Sequence, residues 1–133
     1  MKVWSTNGYT SDQIFEQAQE FVKDHLQLDL TDLVTTGVVR FIFDKLPRKD
    51  LLDLYRESDA FVLPSRGEGW GRPYMEAMAL GIPTIGTNWS GNTAFMNEGN
   101  SFLVDYKLVP VPERGWREIS AYRGHQWAEP DIA

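Results

Sequence analysis

A short apolar run in the middle of the chain is followed by a glycine-rich loop and then by the start of a helix. The run is Ala60 to Leu63, and Pro64 closes it. Pro73 stands where a helix would begin and Gly81 where it would end, as these two residue types do at helix termini. A buried strand, a tight glycine-rich turn and a helix in this order predict a βα unit, and this constrains the fold more than any other feature.

The rest of the chain continues this alternation. Thr10 and Gln13 match a capping box, and apolar residues at helical spacing follow them. The predicted strands are residues 2–5, Val38–Phe43, Ala60–Leu63, Pro83–Gly86 and Phe102–Val104, and the predicted helices are Ser11–Leu28, one that opens at Pro47, Pro73–Leu80 and Thr93–Asn97. Strands alternating with helices indicate an α/β fold with a mainly parallel sheet flanked by helices.

The length of 133 residues predicts a single domain over residues 1–133. From about residue 105 to residue 133 we expect an irregular tail, because prolines and aromatic residues are scattered there without a period. Disordered segments rarely carry so many aromatic side chains, so this tail is predicted to be ordered loop.

Composition excludes several classes of function. The net charge of −6 leaves no basic footprint for a nucleic acid. The absence of cysteine excludes disulfides, thiolate catalysis and cysteine–zinc sites, and the distant pair His25 and His125 predicts no metal centre. No apolar run is long enough for a membrane span and no signal-peptide pattern is present, so we expect a cytoplasmic protein.

The loop from Pro64 to Pro73 is the candidate ligand site. In open α/β sheets ligands bind beyond the carboxyl ends of the strands, and this loop follows such an end. Glycines permit close approach of backbone to a ligand, and the next helix points its free N–H groups and positive dipole end at the loop. That arrangement suits a diphosphate or sugar hydroxyls. Arg66 and Arg72 add positive charge to the loop of an acidic chain.

Two acidic residues and one aromatic residue leave alternatives open. Glu68 precedes the predicted helix and Glu76 is expected in its first turn, where both could face a ligand. Acidic residues at this position are often only complements to the helix dipole. Trp70 could stack on a sugar face or simply pack the loop. Spacing alone does not favour either interpretation.

The combined pattern resembles a known family. The segments that carry the resemblance are Ser58 to Ser65, Glu68 to Gly71, and Glu76 to Pro83. They resemble the group-one glycosyltransferases, a large retaining family with the GT-B fold. Glu68 and Glu76 have the family's spacing of two glutamates separated by seven residues. The resemblance is strong from about Val38 to Val104.

The resemblance implies the donor-binding, C-terminal half of a fold made of two Rossmann-like domains, with a nucleotide sugar as donor and no cofactor or metal. Glu68, the implied catalytic residue, would contact hydroxyls of the donor sugar, and Glu76 would bond the ribose. The remaining implied donor-binding residues are Gly69, Trp70 and Gly71, through their backbone N–H groups, and Ser90 and Gly91, near the diphosphate. Retaining transfer would rest on electrostatic stabilisation of the departing nucleoside diphosphate.

Three departures from the family pattern limit this interpretation. Thr6 to Asp12 lacks the arginine or lysine expected after the first strand, so that Arg66 or Arg72 would have to substitute. Ala94 stands where the family usually has a glutamate, and we expect the acceptor-binding domain to be missing. We therefore expect a truncated donor-binding domain that transfers sugar weakly or not at all alone. The alternatives are a non-catalytic nucleotide- or partner-binding module, and one subunit of a split glycosyltransferase whose cleft face is covered by an acceptor-binding domain or a second copy.

Overall fold

The computed structural model describes residues 10–131. The chain divides into two compact units, Met1–Lys45 and Leu46–Ala133, and each is described by itself. Compact units are not necessarily independently folding domains. The single domain over residues 1–133 therefore stays a prediction. The strand predicted at residues 2–5 lies outside the described residues.

The first unit contains two helices with well-formed N-termini. Helix α1 spans Ser11–Phe21, and Thr10 and Gln13 form the predicted capping box through N–O contacts of 2.9 and 3.2 Å. The predicted single helix to residue 28 is interrupted, because the chain continues as a π-helical turn over Val22–Leu26 and Gln27 then adopts a left-handed conformation. Helix α2 spans Leu30–Thr35.

The strand predicted at Val38–Phe43 is wrong. None of the described residues pairs with this segment in a sheet. Its aromatic side chains pack instead, since the Phe41 ring lies 5.7 Å from that of Phe15 and 5.6 Å from that of Phe43. A β-branched and aromatic run fits a half-buried surface of either kind, so its composition alone does not require strand pairing.

The second unit contains a three-stranded parallel sheet. Helix α3 spans Arg48–Arg56 and precedes the sheet, and helix α4 spans Arg72–Ala79 and connects its first two strands. The strands are β1 Phe61–Leu63, β2 Thr84–Thr87 and β3 Phe102–Val104, hydrogen-bonded in the order β1-β2-β3. The α/β fold with a parallel, Rossmann-like sheet flanked by helices is thereby confirmed.

The core of this unit is built around Tyr74 of α4, which is completely buried. Its ring lies so close to Gly86 of β2 that a Cβ atom added there would stand 2.5 Å from a ring carbon. Its hydroxyl donates to the carbonyl of Leu63 at the end of β1. One side chain therefore joins α4 to two strands directly below the candidate loop, and burial raises the pKa of its hydroxyl.

The segment from residue 105, expected to be irregular, contains regular structure. Strands β4, Tyr106–Pro110, and β5, Gln126–Pro130, form an antiparallel pair. Helix α5, Glu113–Glu118, lies between them. The short helix predicted at Thr93–Asn97 is a single 3-10 turn over Gly91–Ala94. Between residues 10 and 131, no helix has the length and apolar character needed to cross a bilayer.

Candidate donor-binding site

The loop between β1 and α4 begins its helix with a glycine that no other residue can readily replace. Gly71 caps α4 with φ of 86°, in the left-handed region. A Cβ atom there would stand 2.7 Å from the Tyr74 ring and 3.1 Å from Asn92 Cβ. No side chain caps this end of α4. The positive dipole end of the helix therefore lies at the loop, as the sequence predicts.

Glu68 is fixed by its backbone to the loop that follows β2. Its N–H donates to Ser90 Oγ at 3.1 Å, and its carbonyl accepts from Ser90 Oγ at 2.6 Å and from the Gly91 N–H at 3.0 Å. The contact is so close that a Cβ atom on Gly91 would stand 2.3 Å from the Gly69 carbonyl oxygen. The structure thus brings together Glu68, Gly69, Ser90 and Gly91, four of the predicted site residues.

Ser90 carries backbone strain that sequence reasoning missed. Its φ of 77° and ψ of −155° fall in a region populated almost only by glycine, which costs about 1–3 kcal/mol. The two hydrogen bonds between its hydroxyl and the Glu68 backbone hold this conformation. A serine after a strand gives no such signal in the sequence, because the strain depends on a partner 22 residues away.

This strain leads to a testable order of stabilities. We expect Ser90→Ala to destabilise the protein by about 1–3 kcal/mol, since the hydrogen bonds are lost and the strain remains. Ser90→Gly loses the same bonds but relieves the strain, so its free energy of unfolding should stay within about 1 kcal/mol of the wild type. Urea denaturation of the three proteins measures the order. An alanine variant at least as stable as the glycine variant would contradict it.

Glu76 lies farther along α4 than expected. The helix begins at Arg72 rather than Pro73, so that Glu76 is its fifth residue and no acidic residue occupies the first turn. The interpretation of Glu76 as a first-turn complement to the dipole is therefore corrected. Its side chain is exposed, and burial together with the charge of Glu76 raises the pKa of Tyr55 in α3. Among the described residues the carboxylate of Glu76 forms no hydrogen bond or ion pair.

Trp70 packs against neighbouring side chains, and its role in stacking on a sugar stays a prediction. Its indole N–H donates to Met75 Sδ at 2.8 Å, and its ring lies 5.6 Å from that of Phe95. The side chain nevertheless stays 51% exposed. One edge of the indole packs the loop, and the remainder is available for stacking.

The two arginines of the loop differ in availability. The Arg66 guanidinium forms a two-pronged ion pair with Glu129 of β5, with N–O distances of 2.7 and 2.8 Å. The hydrogen bonds of this pair raise the pKa of Arg66 and lower that of Glu129. Arg72 is exposed at the first position of α4, and among residues 10–131 it forms no ion pair. Arg72 is therefore the more available cation.

Asn92 connects the loop after β2 to the end of that strand. Its side chain is completely buried, and Nδ2 donates to the Thr87 carbonyl at the end of β2 over 2.9 Å. Its Oδ1 meets no donor within the described part of the chain. The bond to Thr87 holds the turn after Ser90 against the sheet, and the sequence offered no signal that this amide would be buried. Within residues 10–131, no three histidine or acidic side chains cluster as metal ligands would.

The amino-acid sequence is similar to those of known proteins. A family model described as "Glycosyl transferases group 1" matches residues 22–109. The chain belongs to this family. Within the group 1 glycosyltransferases, it is 31% identical over 96 residues to O-antigen chain mannosyltransferase B of Escherichia coli, a match that covers 66% of this chain and 25% of the relative.

Two further relatives are similar to part of this chain. Identity is 39% over 59 residues with UDP-Gal:alpha-D-GlcNAc-diphosphoundecaprenol alpha-1,3-galactosyltransferase of Escherichia coli, covering 44% of this chain and 15% of that protein. Identity is 32% over 81 residues with D-inositol 3-phosphate glycosyltransferase of Corynebacterium jeikeium, a match that covers 61% of this chain and 19% of that protein. The chain spans a quarter or less of the length of these relatives.

Proposed function

We propose that this group 1 glycosyltransferase chain binds a nucleotide sugar at the loops that follow β1 and β2, as the donor half of a retaining glycosyltransferase. The observation that carries the proposal is the contact of the Glu68 backbone with Ser90 and Gly91. It places two loops that end neighbouring parallel strands side by side at the N-terminus of α4. Crevices beyond the carboxyl ends of strands are where α/β sheets bind nucleotides.

Backbone N–H groups supply the anion-binding part of the proposal. Among the described residues, the N–H groups of Gly69, Trp70 and Gly71 have no hydrogen-bond acceptor. Together with the dipole of α4 and the exposed Arg72, they suit a diphosphate. The same charges would stabilise the nucleoside diphosphate as it departs, and this is how transfer with retention would be promoted.

Carboxylates supply the sugar-binding part. Glu68 is half-buried at the contact of the two loops and would accept hydrogen bonds from donor sugar hydroxyls. Glu76 is exposed on α4 and would accept from the two ribose hydroxyls, which a carboxylate with two oxygens can meet at once. The donor of one relative, as its name states, is UDP-Gal, which supports a nucleotide sugar as the ligand class.

The test is a calorimetric titration of the chain with UDP-, GDP- and ADP-sugars. We expect one of these nucleotides to bind with a stoichiometry of one, because the proposed site is built within the second unit. Sugar transfer by the chain alone should be weak or absent, since the chain spans a quarter or less of the length of its relatives. Failure of all three nucleotide classes to bind would overturn the proposal, and robust transfer would overturn the expectation of weak activity.

A non-catalytic nucleotide- or partner-binding module is the second candidate. Two observations favour it: Arg66 is occupied by Glu129, and Ala94 is exposed where the resemblance implies a glutamate. Supplying an acceptor-binding domain from a relative separates the candidates. Transfer restored by the added domain supports a split or truncated enzyme, whereas nucleotide binding without transfer supports the module.

A further inference from the structure

We infer that the β4–β5 pair positions the donor loop through Arg66, and that Arg66 acts by holding the loop and not by touching the donor. We call Arg66 together with Trp127, Ala128 and Glu129 of β5 the Arg66 clamp. The inference rests on the proposed function, since it assigns a positioning role within the same nucleotide-sugar site.

Both the side chain and the backbone of Arg66 are held by β5. The guanidinium pairs with both Glu129 carboxylate oxygens and lies 5.0 Å above the Trp127 ring centre. The Arg66 carbonyl accepts from the Ala128 N–H at 3.1 Å. The Ala128 side chain is completely buried, so this bond lies at a closed junction between the loop and β5. A planar two-pronged pair fixes direction as well as distance, because both N–H groups must align with one carboxylate.

Arg66 lies two residues before Glu68, which is proposed to bind the donor sugar. Ser65 is fixed from β2, since Thr87 Oγ1 donates to its carbonyl at 2.7 Å. Glu68 is fixed from the loop after β2 through Ser90. Arg66 lies between them, and within residues 10–131 its hydrogen bonds all go to β5. The three anchors thus come from β2, from the loop after β2 and from β5.

Charge alone would suggest another role for Arg66. A free arginine in this loop would be expected to meet the diphosphate, which is the role implied by the sequence. The two roles give opposite results when Glu129 is neutralised. If Arg66 holds the loop, neutralising Glu129 loosens the loop and weakens donor binding. If Arg66 touches the donor, loss of Glu129 releases it and leaves binding equal or tighter.

The experiment compares wild type, Glu129→Gln and Arg66→Lys by nucleotide-sugar titration and by hydrogen exchange of the loop amides without nucleotide. We expect both variants to bind about two- to fivefold more weakly, and amides 65–71 to exchange faster by a similar factor, as suits a half-exposed ion pair. Lysine keeps the charge but loses the two-pronged geometry. Unchanged or tighter binding by Glu129→Gln would overturn the clamp.

Glu113→Gln is the matched control. It breaks an ion pair of the same 2.7 Å length, with Arg117 on α5, and makes the same chemical change at an exposed carboxylate that does not contact Arg66. We expect it to leave donor affinity and loop exchange unchanged. If the wild type binds no nucleotide sugar, the proposed function fails, while loop exchange still decides the clamp. Exchange that is identical in wild type, Glu129→Gln and Arg66→Lys would overturn it.

Discussion

Glu76→Ala is expected to weaken nucleotide-sugar binding by about 100-fold, which corresponds to about 3 kcal/mol for the two charge-assisted hydrogen bonds that the carboxylate would make to the ribose. The side chain is exposed, and its carboxylate forms no hydrogen bond or ion pair among the described residues. Folding should therefore be almost unaffected, with a change in the free energy of unfolding within about 0.5 kcal/mol. Calorimetric titration and urea denaturation of the same preparation measure the two quantities.

The control for this substitution is Glu98→Ala, which removes an exposed carboxylate from the turn that precedes β3. Its donor affinity should equal that of the wild type. Glu76→Gln should fall between wild type and Glu76→Ala, because one amide oxygen can still accept a hydrogen bond without the charge. Wild-type affinity in Glu76→Ala would remove Glu76 from the proposed site.

Gly91→Ala is expected to destabilise the protein by about 2–4 kcal/mol and to abolish measurable donor binding, because the added methyl group overpacks against backbone atoms and not against a flexible side chain. The added Cβ atom would stand 2.3 Å from the Gly69 carbonyl oxygen and 2.8 Å from that of Glu68. Either the loop after β2 or the loop after β1 must shift, and each shift breaks the hydrogen bonds that hold the Glu68 backbone.

Gly67→Ala provides the matched control in the same loop. Its added Cβ atom would meet nothing closer than Ser90 Oγ at 3.9 Å, an ordinary contact, and Gly67 has no positive φ. Its stability should change by less than about 1 kcal/mol. Urea denaturation of both variants tests the pair, and equal stabilities would show that the close approach of the two loops is not required.

The three parallel strands, the loop after β1 and helix α4 were predictable because their signals are local. An apolar run, a glycine cluster and a helix-opening proline follow one another within a few residues, and each has a direct physical meaning. The capping box at Thr10 was predictable for the same reason. The predicted boundaries of β1, α4 and β2 differ from the observed ones by one residue. The ends of helices and strands are the least well defined part of an element.

Features that depend on distant partners were not predictable. Val38–Phe43 has strand composition, but its aromatic rings pack within the first unit. The pairing of β4 with β5 joins short segments whose prolines hide the strand pattern. The ion pair of Arg66 with Glu129 could not be foreseen, because the two residues lie 63 positions apart. In each case the deciding contact is tertiary, and local propensity carries no information about it.

The most direct measurement of the central claim is an NMR titration of the chain with UDP-, GDP- and ADP-sugars that follows individual backbone amides. The account predicts that one nucleotide class shifts the amides of Gly69, Trp70, Gly71, Ser90 and Gly91 most strongly, with matching saturation at all five. Shifts confined to other parts of the chain, or no shifts with any of the three classes, would contradict it.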